Sequence, residues 1–185
     1  MYNTDEHGLE PDAFVAHDAK GQKVKIFGES PAIYLHNPKY PHNLGQTIRA
    51  CACFGIGQVW WSGTRVAKKL EGLDRIPREE RMRGYSDVRL LQSERALDAF
   101  PPDVVPVALE FRPNSEKLPD FVHPKKAVYV FGPEDGSLDR GILSRCHRFV
   151  FIPTKHCVNL SAAVYMVLYD RMVKEKADEQ APPLV

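Results

Sequence analysis

Ala127-Val128-Tyr129-Val130-Phe131, closed by Gly132-Pro133-Glu134, decides the fold class of this 185-residue chain. Five apolar residues in a row do not alternate with polar ones, so the strand they form has no wet face. Such a run marks a strand covered on both sides, as in a parallel sheet. Working outward, strand signals recur at Pro31 to Asn37, Gln58 to Trp61, Val104 to Phe111 and Arg148 to Ile152. Pro106 is an awkward member, because proline gives a ladder no donor. Between these runs lie helical segments: Asn43 to Phe54, with Leu44, Ile48, Cys51 and Ala52 at helical spacing; a charged stretch from 64 to 100; Asp139 to Cys146; and Leu160 to Lys174. In the last, Leu160, Ala163, Val164, Val167, Leu168 and Met172 fall on or near one stripe. Strands alternating with helices specify an α/β fold, a mostly parallel sheet with helices on both faces.

The chain reads as one domain from 23 to 176, with a flexible N-terminal arm at 1–22 and a flexible tail at 177–185. Both ends are polar and offer little to bury. Val24-Lys25-Ile26-Phe27 adds a short strand. Trp60-Trp61 is expected to point one ring inward and the other toward a surface or partner. The formal net charge of +1 gives no bulk attraction to a polyanion, so affinity for nucleic acid must come from local charge. The four cysteines form no C-x-x-C pair and share no zinc-ligand spacing with the seven histidines, so no metal is expected. The first residues are polar and acidic, and no apolar run approaches bilayer length. A soluble, cytoplasmic protein with reduced thiols is the expectation.

Three stretches carry chemistry. Asn43-Leu44-Gly45-Gln46-Thr47-Ile48-Arg49 opens a helix, where backbone N–H groups and the positive helix end favour an anion. On these residues alone, Asn43 is a helix cap and Arg49 a surface cation. Phe131-Gly132-Pro133-Glu134 ends the central strand. Gly132 lets a ligand approach the backbone closely, and Glu134 is either a turn residue or a carboxylate at a pocket mouth. Ile152-Pro153, then Val158-Asn159-Leu160-Ser161, leads from a strand into the closing helix. Asn159 and Ser161 are both plausible caps there.

In order and content, these stretches resemble the three motifs of the SpoU/TrmH family of SPOUT RNA methyltransferases, over roughly Ile33 to Arg171. Two places depart from the family pattern: Ser137 stands where a glycine is usual, and the Thr154 to Cys157 loop is atypical. The resemblance implies a C-terminal deep trefoil knot, S-adenosylmethionine as cofactor and a homodimer whose sites draw on both subunits. It implies an RNA ribose 2′-O-methyltransferase, with tRNA the expected substrate for so short a member. By resemblance, Asn43, Arg49, Glu134, Asn159 and Ser161 are the catalytic-site residues. Arg49 would stabilise the developing alkoxide rather than act as a base, because guanidinium does not deprotonate readily. Leu109, Gly132, Ile152, Val158 and Leu160 would surround the cofactor. Arg78, Arg81, Arg83 and Tyr85 would offer phosphate contacts and one stacking ring to RNA. Without the resemblance, the same charge mixture reads as a solvated helix face.

Other readings stay open on sequence: a catalytically silent RNA-binding protein of the same fold, or an enzyme acting on ribosomal RNA. An unrelated nucleotide-binding α/β protein lacks support, since neither G-x-G-x-x-G nor a P-loop pattern is present.

Overall fold

Residues 14–18, 20–70 and 87–180 are described by the computed structural model of the protein. Among them β8 (Ala127–Phe131) is buried at every position. Its side chains divide between two cores. Ala127, Tyr129 and Phe131 enter one, and Val128 and Val130 the other. The division follows from side-chain alternation along a strand with a layer on each face.

Around β8 lie β1 (Phe14–His17), β2 (Lys23–Ile26), β3 (Ala32–Leu35), β4 (Gln58–Trp61), β5 (Arg89–Gln92), β6 (Val105–Leu109), β7 (Glu116–Lys117) and β9 (Arg148–Phe151). They form one sheet in the order β2-β1-β5-β4-β3-β8-β6-β9-β7. From β5 to β7 every ladder is parallel, while β1 runs antiparallel to both β2 and β5. Helices α1 (Pro41–Cys53) and α4 (Leu160–Gln180) pack Leu44, Ile48, Cys51, Leu160, Val164 and Leu168 on one face. On the other, Ile142 of α3 (Arg140–Leu143) and Ala96, Leu97 and Ala99 of a 3-10 turn cover Tyr34, Trp60 and Val130. A further short helix, α2 (Arg65–Leu70), follows β4. The expected α/β fold with a mostly parallel sheet is the one observed. No helix among the described residues is long and apolar enough to cross a membrane.

Several local expectations change. The charged stretch from 64 to 100 is not one helix. It holds α2, then strand β5, whose Leu90 and Leu91 are buried on opposite faces. Phe14–His17, expected within the arm, pairs with β2 from Phe14 opposite Ile26 to His17 opposite Lys23. The closing helix continues to Gln180, into the expected tail. Trp60 and Trp61 are both buried, one in each core, because β4 lies between β3 and β5 rather than at an edge. Pro106 disturbs no ladder. Its carbonyl accepts from His147 N–H on the β9 side, and β9 pairing starts only at Val107 opposite Arg148.

Buried polar bonds fasten α4 to the segment before β8. The Arg171 guanidinium, 5% exposed, donates to Pro124 O (2.7 Å), Lys125 O (2.9 Å) and the Tyr129 hydroxyl (2.9 Å). His123 bridges Tyr129 and Asp170, and burial holds its pKa below the ordinary histidine value. Arg171→Ala removes three hydrogen bonds, one of them to the buried Tyr129 hydroxyl, and a loss of about 3 kcal/mol in unfolding free energy is expected. A urea titration followed by circular dichroism measures it.

Candidate active site

The carboxyl ends of β3, β6, β8 and β9 surround one cavity of about 550 Å³. In open parallel sheets ligands bind outside these strand ends, where chain connections diverge to opposite sides. The size suits a small organic ligand. Leu109, Gly132, Ile152, Val158 and Leu160 all line it, as do Asn43, Glu134 and Asn159. The structure therefore brings together eight of the ten residues assigned to catalysis and cofactor.

A hydrogen-bonded chain joins the three sequence stretches. Asn43 Nδ2 donates to Glu134 Oε1 (2.5 Å), although 91 residues separate the two. Asn159 Nδ2 donates to Asn43 Oδ1 (2.9 Å). Asn159 Oδ1 in turn accepts from Ser161 N–H (2.9 Å), Ser161 Oγ (2.6 Å) and Ala162 N–H (3.3 Å). Asn159 thus caps α4 with its oxygen and holds Asn43 with its nitrogen. Ser161 does not reach the wall. It is buried, and its hydroxyl steadies Asn159.

Asn43 is not the cap of α1. The helix starts at Pro41, with Tyr40 at the cap position and no side-chain cap bond. Proline presets the first helical turn, which leaves the Asn43 amide, 1% exposed, free for Glu134. Glu134 also accepts from the backbone N–H of Lys39 (2.7 Å) and Tyr40 (3.3 Å). One carboxylate therefore ties the segment after β3 to the turn after β8.

That turn is braced from both sides. Leu138 N–H donates to Glu110 (3.1 Å), a second carboxylate on the cavity wall. Next to Glu134, Asp135 is held well below the usual carboxylate range by hydrogen bonds from Arg65 and then Lys39. On the far side Asp139 caps α3 and meets His36 Nε2 (2.9 Å), while His36 Nδ1 lies 3.1 Å from Ser62 Oγ. The Tyr34 hydroxyl lies 2.8 Å from Ser62 Oγ, and burial pushes its pKa up to about 12. This Ser-His-Asp arrangement is no nucleophilic site, because Ser62 is 1% exposed and a substrate cannot reach it.

Gly132 sits where a side chain has little room. A Cβ there would stand 3.3 Å from Leu138 N and 3.4 Å from Leu138 Cγ. The departures from the family pattern do not close the cavity, since Ser137, Thr154 and Cys157 all line it. Cys157 is exposed.

Arg49 lies apart. It is exposed and absent from the cavity wall of its own chain. It follows Asn43 by six residues, so it stands ~9 Å along α1 and about 120° around it. Burial raises the pKa of Tyr165 of α4, and the Arg49 charge opposes that rise. Arg78, Arg81, Arg83 and Tyr85 lie outside the described residues. Sequence reading missed Tyr40, Glu110 and Phe111 on the wall, where His42 also lies. Their signal was position, each following closely on a parallel strand. Among the described residues no cluster of three or more His, Cys, Asp or Glu side chains could hold a metal.

A sequence profile of the SpoU rRNA Methylase family matches residues 30–169, which include every element of the cavity. The chain belongs to the SpoU family. Among solved structures, the A. aeolicus TrmH/SpoU tRNA modifying enzyme is similar at 20% identity, over 85% of this chain and 82% of its own, with a TM-score of 0.66. A structure described by the 2-OH methylation of C/U34 on tRNA is similar at 22% identity, over 79% of this chain and 96% of its own, with a TM-score of 0.65. The SpoU methyltransferase AviRb from Streptomyces viridochromogenes is similar at 17% identity, over 80% of this chain but 60% of its own, with a TM-score of 0.63. This chain therefore spans well under two thirds of AviRb. At these identities the likeness is one of fold. No curated sequence matches the chain.

Proposed function

We propose that this SpoU protein is an S-adenosylmethionine-dependent RNA ribose 2′-O-methyltransferase that acts on tRNA as a homodimer. The observation that carries the reading is the Asn159–Asn43–Glu134 chain, drawn from three distant stretches onto the wall of one cavity. The residues fit the cofactor. Leu109, Phe131, Ile152, Val158 and Leu160 offer apolar wall to an adenine, and the Glu110 and Glu134 carboxylates favour a cation. Structures of AviRb and of a Sinorhizobium meliloti rRNA methyltransferase hold AdoMet. When bound, S-adenosylmethionine supplies a methyl group already activated on a positively charged sulfur.

The protein then has two tasks, orienting a ribose hydroxyl and stabilising the charge it develops. Glu134 orients the acceptor by hydrogen bonds, Asn43 fixes Glu134, and Asn159, steadied by Ser161, fixes Asn43. Arg49 stabilises the alkoxide from across a subunit interface, since it is outside its own cavity. An apolar strip on α4 supports such an interface: Met166, Tyr169 and Val173 are 39%, 59% and 44% exposed at helical spacing. The tRNA assignment draws on the two tRNA-related structures, most of whose length this chain matches. Arg78, Arg81, Arg83 and Tyr85 remain the assigned RNA contacts.

Calorimetric titration with S-adenosylmethionine tests the cofactor part. One molecule per chain, at micromolar affinity, is expected. Absence of heat at millimolar cofactor, with the protein folded, removes the enzyme reading and leaves a silent RNA-binding protein.

A further inference from the structure

The rim of the cavity carries an aromatic pair that the hydrogen-bonded chain does not use. The rings of Tyr40 and His42 stack, with centroids 5.3 Å apart and planes 21° from parallel. Both line the cavity, and both are exposed. Pro41 lies between them, and the Tyr40 N–H donates to Glu134, so the pair is pinned to the carboxylate that holds Asn43. Lys69 Nζ sits 4.5 Å from the Tyr40 ring centroid and donates to Lys39 O (2.7 Å). Neither contact is with an anion, so among the described residues its charge is available. Lys39 Nζ is 5.3 Å from the same ring.

A flat, rigid aromatic face beside a cation, at the mouth of a cavity, matches one ligand chemistry well. A nucleotide brings a π-face to stack and a phosphate to pair. We propose that Tyr40 and His42 form a stacking shelf for an unpaired nucleobase of the RNA, with Lys69 placed for an adjoining phosphate. The proposal rests on the RNA methyltransferase reading and extends it to the form of the substrate. A base inside a duplex already has neighbours on both faces, so the shelf takes a base from a loop or single strand. Stacking tolerates any base, so the shelf supplies grip rather than sequence choice.

The test uses the full chain, a hairpin RNA with 2-aminopurine in its loop, and the same label in a duplex. The loop probe is expected to be quenched on binding, and the duplex probe, already dimmed by its stacked neighbours, to stay unchanged. The double variant Tyr40→Ala/His42→Ala is expected to lose the quench and to raise KM for RNA about 10- to 100-fold, with the melting temperature within a few degrees of the unaltered protein. Tyr40→Phe/His42→Phe, which keeps two rings, is expected to restore both. An unchanged thermal unfolding transition shows that the alanine variant is folded. If the unaltered protein methylates RNA but the alanine variant keeps the normal KM and quench, the shelf is overturned and the enzyme reading stands. If the unaltered protein binds no cofactor and transfers no methyl group, both fall together.

Discussion

Arg49→Ala is expected to lower the methylation rate by about 100-fold or more while S-adenosylmethionine binds as before. The two halves have separate grounds. Arg49 is exposed and off the wall of its own cavity, so its removal leaves every cofactor contact in that chain intact. A guanidinium delivered from a second subunit would meet charge only as the hydroxyl loses its proton, which is where fixed positive charge lowers a barrier most. Mixing separates this from action within one chain. Arg49→Ala and a variant with a blocked cavity, each inactive alone, form heterodimers on unfolding and refolding together. If Arg49 serves its neighbour, each heterodimer regains one working site, and about one quarter of normal activity returns for random pairing. If Arg49 serves its own chain, none returns. A monomeric mass in light scattering at a concentration giving full activity contradicts the dimer.

The blocked cavity comes from Gly132→Val, whose effect falls on the other side of the ledger of binding and turnover. The added Cβ would already press on the Leu138 backbone at 3.3 Å. Branched methyl groups must then enter the cavity or push the 134–138 turn away from Glu110, and either outcome spoils the wall. Cofactor affinity is expected to fall at least about 100-fold, near 2.7 kcal/mol. The melting temperature should move by only a few degrees, because residues 134–137 of the turn are exposed or half-buried and can shift while Leu138 stays buried. Calorimetry checks the first number and thermal unfolding the second. Normal affinity in Gly132→Val would move the cofactor out of this cavity.

The uninterrupted run at 127–131 reported its own surroundings, since only a strand with a layer on each face can afford no polar position. The alternation of such runs with α1 and α4 made the α/β sheet legible in the same way. Strand β5 was hidden, because Leu90 and Leu91 are a pair of apolar residues in a charged neighbourhood and gain their strand state from Val59 and Trp60 beside them. Strand β1 was hidden too, because its partners β2 and β5 come beside it only in the fold. The site divides similarly. Asn159 as a cap follows from its neighbours in sequence, whereas the bond from Asn43 to Glu134 spans the sheet and no local pattern contains it. Local reading made Asn43 a cap; Pro41 took over the helix start, and the amide turned to the cavity. Periodicity reports layers, not threading, so the expectation of a knot came from the resemblance alone.

Incubation of the protein with methyl-labelled S-adenosylmethionine and total cellular RNA, followed by nucleoside analysis of separated tRNA and ribosomal RNA, tests the central claim most directly. Label in a 2′-O-methylnucleoside of tRNA, absent with Arg49→Ala, is the predicted result. Label in a base, label only in ribosomal RNA, or no transfer by a folded, cofactor-binding protein would contradict it.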